Sequence, residues 1–296
     1  MRLFTQERKP APRNNPIRPV KRERQVGLPP HSIGHSLHQL QRTVGNQAVL
    51  RMLHGSTSVQ RQPKQPPPPN KVKNLKDAGH SVNDLVFSKT AEIIDAVLQR
   101  NQKLAPYIGE RLKSGLRMAE KGKFVQATNN GDFETAYRNA YDIHKSETVP
   151  SHIMGFYDRN KATIHLRPQA KFGTALHEAV HKLASPTFYD RFLPAAISIS
   201  KNLGEVLLEG LTSYFTDAIL DEEKLPPFNS YPDLKKKAEQ LATTLGADGF
   251  DLLAKFNFKG GAIIEIGNKL GLTTKQYTDL QTKAAKEVLT RMNKVL

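Results

Sequence analysis

The chain has 296 residues, and 44 Lys+Arg against 28 Asp+Glu give it a formal net charge of +16. Cysteine is absent, which excludes disulfides, iron–sulfur clusters, thiolate zinc sites and a cysteine nucleophile. No apolar run approaches the roughly 20 residues of a membrane span, and the start, MRLFTQERKPAPRNNPIRPVKRER, lacks the apolar stretch that a secretory signal needs.

Residues 1–70 hold 12 Lys+Arg, 2 Asp+Glu and 11 of the 19 prolines. So basic and Pro-rich a stretch has too little apolar surface to offset the entropy cost of ordering, and we expect a disordered leader. Its charge suits acidic surfaces, but its single aromatic, Phe4, offers no stacking platform, which argues against a nucleic-acid partner. Within it Leu37, Leu40, Val44, Ala48 and Met52 recur at helical spacing and predict a short helix near 37–53. His31, His35 and His38 would share a face of an earlier-starting helix. Gly34, Ser36 and the lack of a nearby acid argue against a metal cluster there. The segment 55–70, GSTSVQRQPKQPPPPN, reads as a linker whose four consecutive prolines favour polyproline II.

The globular part, 71–296, reads as mainly α with a small β-sheet, an α+β domain. Leu85, Ile93, Ile94, Val97 and Leu98 predict an amphipathic helix over 83–104, followed by helices at 106–123 and 131–144. The period then changes: GFYD (155–158) and TIHL (163–166) flank Arg159-Asn160-Lys161 and predict a hairpin. Helical patterns return at 172–184, 194–220, 232–246, 247–258, 261–270 and 273–295.

The helix at 172–184 contains His177-Glu178-Ala179-Val180-His181, an HExxH pattern. Residues four apart on a helix lie on one face, so both imidazoles can reach one metal ion. Glu178 is then placed to take a proton from the water that such a metal activates. A catalytic zinc needs three protein ligands and one open position. The extended form HExxHxxGxxH fails, because Ala184 and Thr187 stand at its Gly and third His positions, and no histidine follows His181. The third ligand is therefore expected to be a glutamate on a following helix, where NLGEVLLEGLTSYFTDAIL (202–220) offers Glu205 and Glu209 on one face.

HEAVH followed by LLEGLTSYFT resembles the gluzincin metallopeptidases. The resemblance implies a zincin-like fold, a Zn2+ cofactor held by His177, His181 and Glu209, Glu178 as the catalytic base, and a protein or peptide substrate. Members of that family often carry an Asp four residues after the glutamate ligand; here Ser213 stands there, with Thr212 beside it. Either hydroxyl can accept from an imidazole N–H. The resemblance also implies an edge strand that pairs with the substrate, for which TIHL is the expected segment. Tyr157, His165, Tyr189 and Tyr214 are the candidates for stabilising an oxyanion.

The segment 40–53, LQRTVGNQAVLRML, resembles one found ahead of toxin domains associated with extracellular contractile injection systems. It implies that the leader is a loading segment. The chain would then pass from the producer's cytoplasm into the particle and on to a target cell, without a signal peptide. The expected function is a zinc endopeptidase effector; the alternative is a non-enzymatic cargo or structural component that keeps a zincin fold.

Overall fold

The computed structural model describes residues 74–272 and 281–296. The leader, with its short helix, its histidines and the LQRTVGNQAVLRML segment, lies outside the described residues. So does the first part of the helix predicted from 273.

The described chain enters at Asn74 and is bound at once to the rest of the domain. Leu75 is buried, and its N–H donates to Glu223 Oε2 at 2.7 Å. Arg100 donates to the same carboxylate through Nε (2.7 Å) and Nη2 (2.5 Å). Helix α1, Thr90–Arg100, is shorter than its periodicity suggests; Leu85 precedes it in a loop and is 60% exposed rather than in the core. Ile94, Val97 and Leu98 of α1 are fully buried. Helix α2, Ala105–Lys113, stops well before residue 123, and Gly115 at φ +88 turns the chain away.

The released segment forms an unanticipated strand, β1, Phe124–Gln126. Three residues are too few to display an alternating pattern. Helix α3, Asn130–Tyr141, begins at Asn129, whose side chain accepts from Asp132 N–H at 2.9 Å, and ends at Asp142 in the left-handed region. The hairpin falls where predicted, as β2, Gly155–Asp158, and β3, Thr163–Leu166. Its register pairs Phe156 with His165 and Tyr157 with Ile164. The sheet order is β1-β3-β2, with β1 parallel to β3. TIHL is thus the central strand, which corrects its expected place at the edge: both of its sides are already paired, and β2 is the outer strand nearer the HExxH helix. Phe156 packs on Phe133, Tyr137 and Tyr141 of α3 in a small separate core.

Helix α4, Phe172–Leu183, carries the HExxH pattern and packs on β2, β3 and α1. Among the described residues the remainder is helical, but the run expected over 194–220 is broken. A π-helical turn, Phe188–Phe192, leads into α5, Leu193–Ile199. Ser200 then adopts extended backbone, and its hydroxyl caps α6, Lys201–Glu205, by accepting from Leu203 N–H. A second π turn, Val206–Gly210, joins α6 to α7, Leu211–Glu222. Helix α8, Pro232–Leu245, lies against that π turn. The approach needs Gly210, where a Cβ would stand 2.5 Å from the Leu234 carbonyl oxygen. Helix α9, Gly249–Ala254, continues into a π turn at Lys255–Lys259, and α10, Ile263–Lys269, and α11, Gln281–Val295, complete the domain.

Candidate metal centre

Every residue of α4 except Thr174 is buried, so its two histidines lie in the interior and not on a solvated face. Helix α4 packs against α7, and Glu209 sits in the π turn that precedes α7. Such single-turn π insertions occur often at functional sites. The turn brings Glu209, completely buried, onto the histidines.

Three atoms converge. His177 Nε2 lies 3.1 Å from Glu209 Oε2 and 3.1 Å from His181 Nε2, and His181 Nε2 lies 3.4 Å from Glu209 Oε2. A tetrahedral ion with arms of about 2.0–2.1 Å spans ligand atoms about 3.3–3.4 Å apart, so this triangle has the size of one face of such a tetrahedron. Glu205 does not join it. Glu205 pairs instead with Lys201 Nζ at 3.5 Å.

The protons on this group follow from its neighbours. The Thr212 hydroxyl donates to Leu208 O at 2.6 Å. Its oxygen is therefore the acceptor for His181 Nδ1–H, 3.2 Å away. Burial holds the His181 imidazole below its usual range, against the pull of Glu209, so the ring is neutral and presents a lone pair at Nε2. Burial pushes the Glu209 carboxyl upward, but the two neighbouring imidazoles outweigh it and hold the carboxyl below its ordinary value. A carboxylate and an imidazole lone pair thus face each other inside the protein. Glu209 Oε1 and His177 Nδ1 have no hydrogen-bond partner among the described residues. Burying the Glu209 carboxylate without a cation is costly. The donor set of two imidazoles and one carboxylate, buried and convergent, fits a metal ion.

Of the two hydroxyls open to the role, Thr212 orients His181, while Ser213 Oγ is buried without a partner among the described residues. Glu178, beside His177 on α4, lines a cavity that also reaches Met154, Gly155, Phe228 and Tyr231. Two glycines shape it. A Cβ at Gly155 would meet Glu178 Cγ at 3.1 Å, and one at Gly173 would meet Phe228 at 2.4 Å. Thus β2 and the loop carrying Phe228 can both close on α4.

None of the four aromatic or imidazole candidates lines this cavity. Tyr189 is buried and donates to the His181 carbonyl at 2.8 Å, which ties the end of α4 to the following turn. Tyr157 is in the main core, His165 is stacked 4.8 Å from Phe156, and Tyr214 packs on Phe215 and Phe250. His152 and Tyr231 do line it, and the Tyr231 ring centroid is 5.8 Å from that of His177. Tyr231 has φ +53, a strained value for an aromatic residue. Burial, with Glu209 and Glu178 nearby, drives its hydroxyl well above the usual range, so it stays a donor. The pattern Ser-Tyr-Pro at the start of α8 marks a helix start and nothing more, so the sequence carried no signal for this position.

No protein-family model matches the chain, and no curated protein or solved structure matches it. No helix of the described residues is long and apolar enough to cross a membrane.

Proposed function

We propose that the chain is a zinc-dependent endopeptidase with a zincin-like domain, delivered as cargo of a contractile injection particle. The observation that carries the enzymatic part is the buried His177, His181 and Glu209 triangle, with Glu178 beside it on the wall of an accessible cavity. Two imidazoles and a carboxylate suit zinc. When bound, the ion supplies Lewis acidity to a water molecule and to the scissile carbonyl.

The chain's own residues do the rest. Glu178 takes the proton of the attacking water and passes it to the leaving amine. Tyr231, kept protonated, donates to the oxygen that gains charge. The backbone at Met154–Gly155 lines the cavity, and β2 is an outer strand, so an extended peptide can lie alongside it. Thr212 holds His181 in the tautomer that offers Nε2. The delivery part rests on the LQRTVGNQAVLRML resemblance.

Two variants test the catalytic reading. Glu178→Gln should bind zinc as the wild type does and lose proteolysis by roughly 10²–10⁴-fold. His177→Ala should lose the metal, because two ligands hold zinc poorly. Equal proteolysis or target-cell toxicity of wild type and Glu178→Gln would refute the reading and leave a non-enzymatic cargo. Deletion of the leader should abolish association with the particle; retained association would refute the delivery part.

A further inference from the structure

The cavity beside His177 and Glu178 has a volume of about 290 Å³. Ligand cavities run roughly 300–1,000 Å³, so this one takes a single side chain or a chain end. Several of its lining residues carry hydrogen-bond donors: Lys171, His152, Thr174, Ser230 and Tyr231. Among the described residues Glu178 is its only carboxylate, and in the proposed reaction that group is engaged with water.

Lys171 is exposed, and its ammonium is free to reach a ligand. Its backbone bridges to Leu85, and Nζ donates to Asn83 Oδ1 at 3.1 Å. That partner is a neutral amide, and an ammonium has three protons, so two remain for a ligand. The complement of a donor-rich, cationic lining is an anionic acceptor.

We infer that this cavity binds a carboxylate of the substrate and that Lys171 is the residue that selects it. The inference rests on the peptidase reading of the same site. The carboxylate belongs either to an Asp or Glu side chain next to the scissile bond or to the C-terminus of a peptide. A charge-assisted hydrogen bond of this kind gives about 10-fold discrimination over an uncharged isostere.

The test uses the full chain loaded with zinc and four peptide hydroxamates, whose hydroxamate grips the metal. Two differ only in Glu against Gln, and two only in a free C-terminal carboxylate against its amide. The wild type should bind one carboxylate probe about 10-fold more tightly than its partner, and the pair affected tells side chain from C-terminus. Lys171→Met should abolish the preference and leave the amide probes unchanged; Lys171→Glu should invert it. Equal binding of acids and amides by the wild type, or a preference that survives Lys171→Met, would overturn the inference and leave the metal centre standing. Failure of all four probes to bind would overturn the metal-centre reading and this inference with it.

Discussion

Replacing Thr212 by Val removes one hydroxyl and almost no volume, so its consequence is confined to two hydrogen bonds. The hydroxyl proton goes to Leu208 O and the oxygen accepts from His181 Nδ1–H, and both side chains are about 2% exposed. In the Val variant the Nδ1–H is buried without an acceptor, at a cost of about 1–3 kcal/mol. The neutral ring can escape that cost by moving its proton to Nε2. The lone pair facing Glu209 and His177 is then lost. Either route weakens the metal site, and loss of such an orienting partner typically lowers metal affinity by about 10–100-fold. That factor is about 1.4–2.8 kcal/mol, the same scale as the lost hydrogen bond. The assay is zinc competition against a chelator of known affinity. Ser213→Ala is the control, because Ser213 Oγ has no partner among the described residues, and Thr212→Ser should restore most of the affinity. Wild-type affinity in Thr212→Val, or an equal loss in Ser213→Ala, would refute the assignment of the orienting group.

Gly155→Ala should cost about 1–3 kcal/mol by overpacking, since its Cβ would stand 2.7 Å from Leu166 Cδ2 and 3.1 Å from Glu178 Cγ. Denaturation midpoints measure that cost, and proteolysis should fall more than zinc binding because Glu178 is displaced. Glu223→Ala should cost about 1–3 kcal/mol, because it leaves the buried Leu75 N–H without its acceptor and frees the partly exposed Arg100; urea unfolding reports it. Burial holds the His165 imidazole below its usual range, so the unfolded chain takes up that proton first as pH falls. Stability is then lost below the unfolded pKa of about 6.5, with a slope of at most about 1.4 kcal/mol per pH unit. His165→Phe keeps the stack on Phe156 and should flatten the stability–pH curve between pH 7 and 5 by that contribution. Parallel curves for the two proteins would refute it.

Much of the fold was legible in the sequence because it depends on short-range chemistry. The 3.6 period located the helices, and the change to GFYD and TIHL located the hairpin to the residue. Where the period was interrupted by backbone alone, as in the π turns at 188–192 and 206–210, composition carried no trace of it. Strand β1 was missed because three residues do not make a pattern, and what makes them a strand is their pairing with β3.

The site divides in the same way. The four-residue spacing of His177 and His181 is a helical property, so the sequence by itself determined that the two imidazoles share a face and that Glu178 is next to them. Helical spacing alone put Glu205 and Glu209 on one face and the resemblance favoured Glu209; tertiary packing buries Glu209 on the histidines and leaves Glu205 with Lys201. Tertiary packing also brought Thr212 rather than Ser213 to His181, and placed Tyr231, not the four expected candidates, on the cavity wall. Local spacing fixes which face of a helix a side chain occupies. Which side chain from a distant segment meets that face depends on crossings of α4 with α7 and on a strained loop before α8, and these are set by the packing of the whole core.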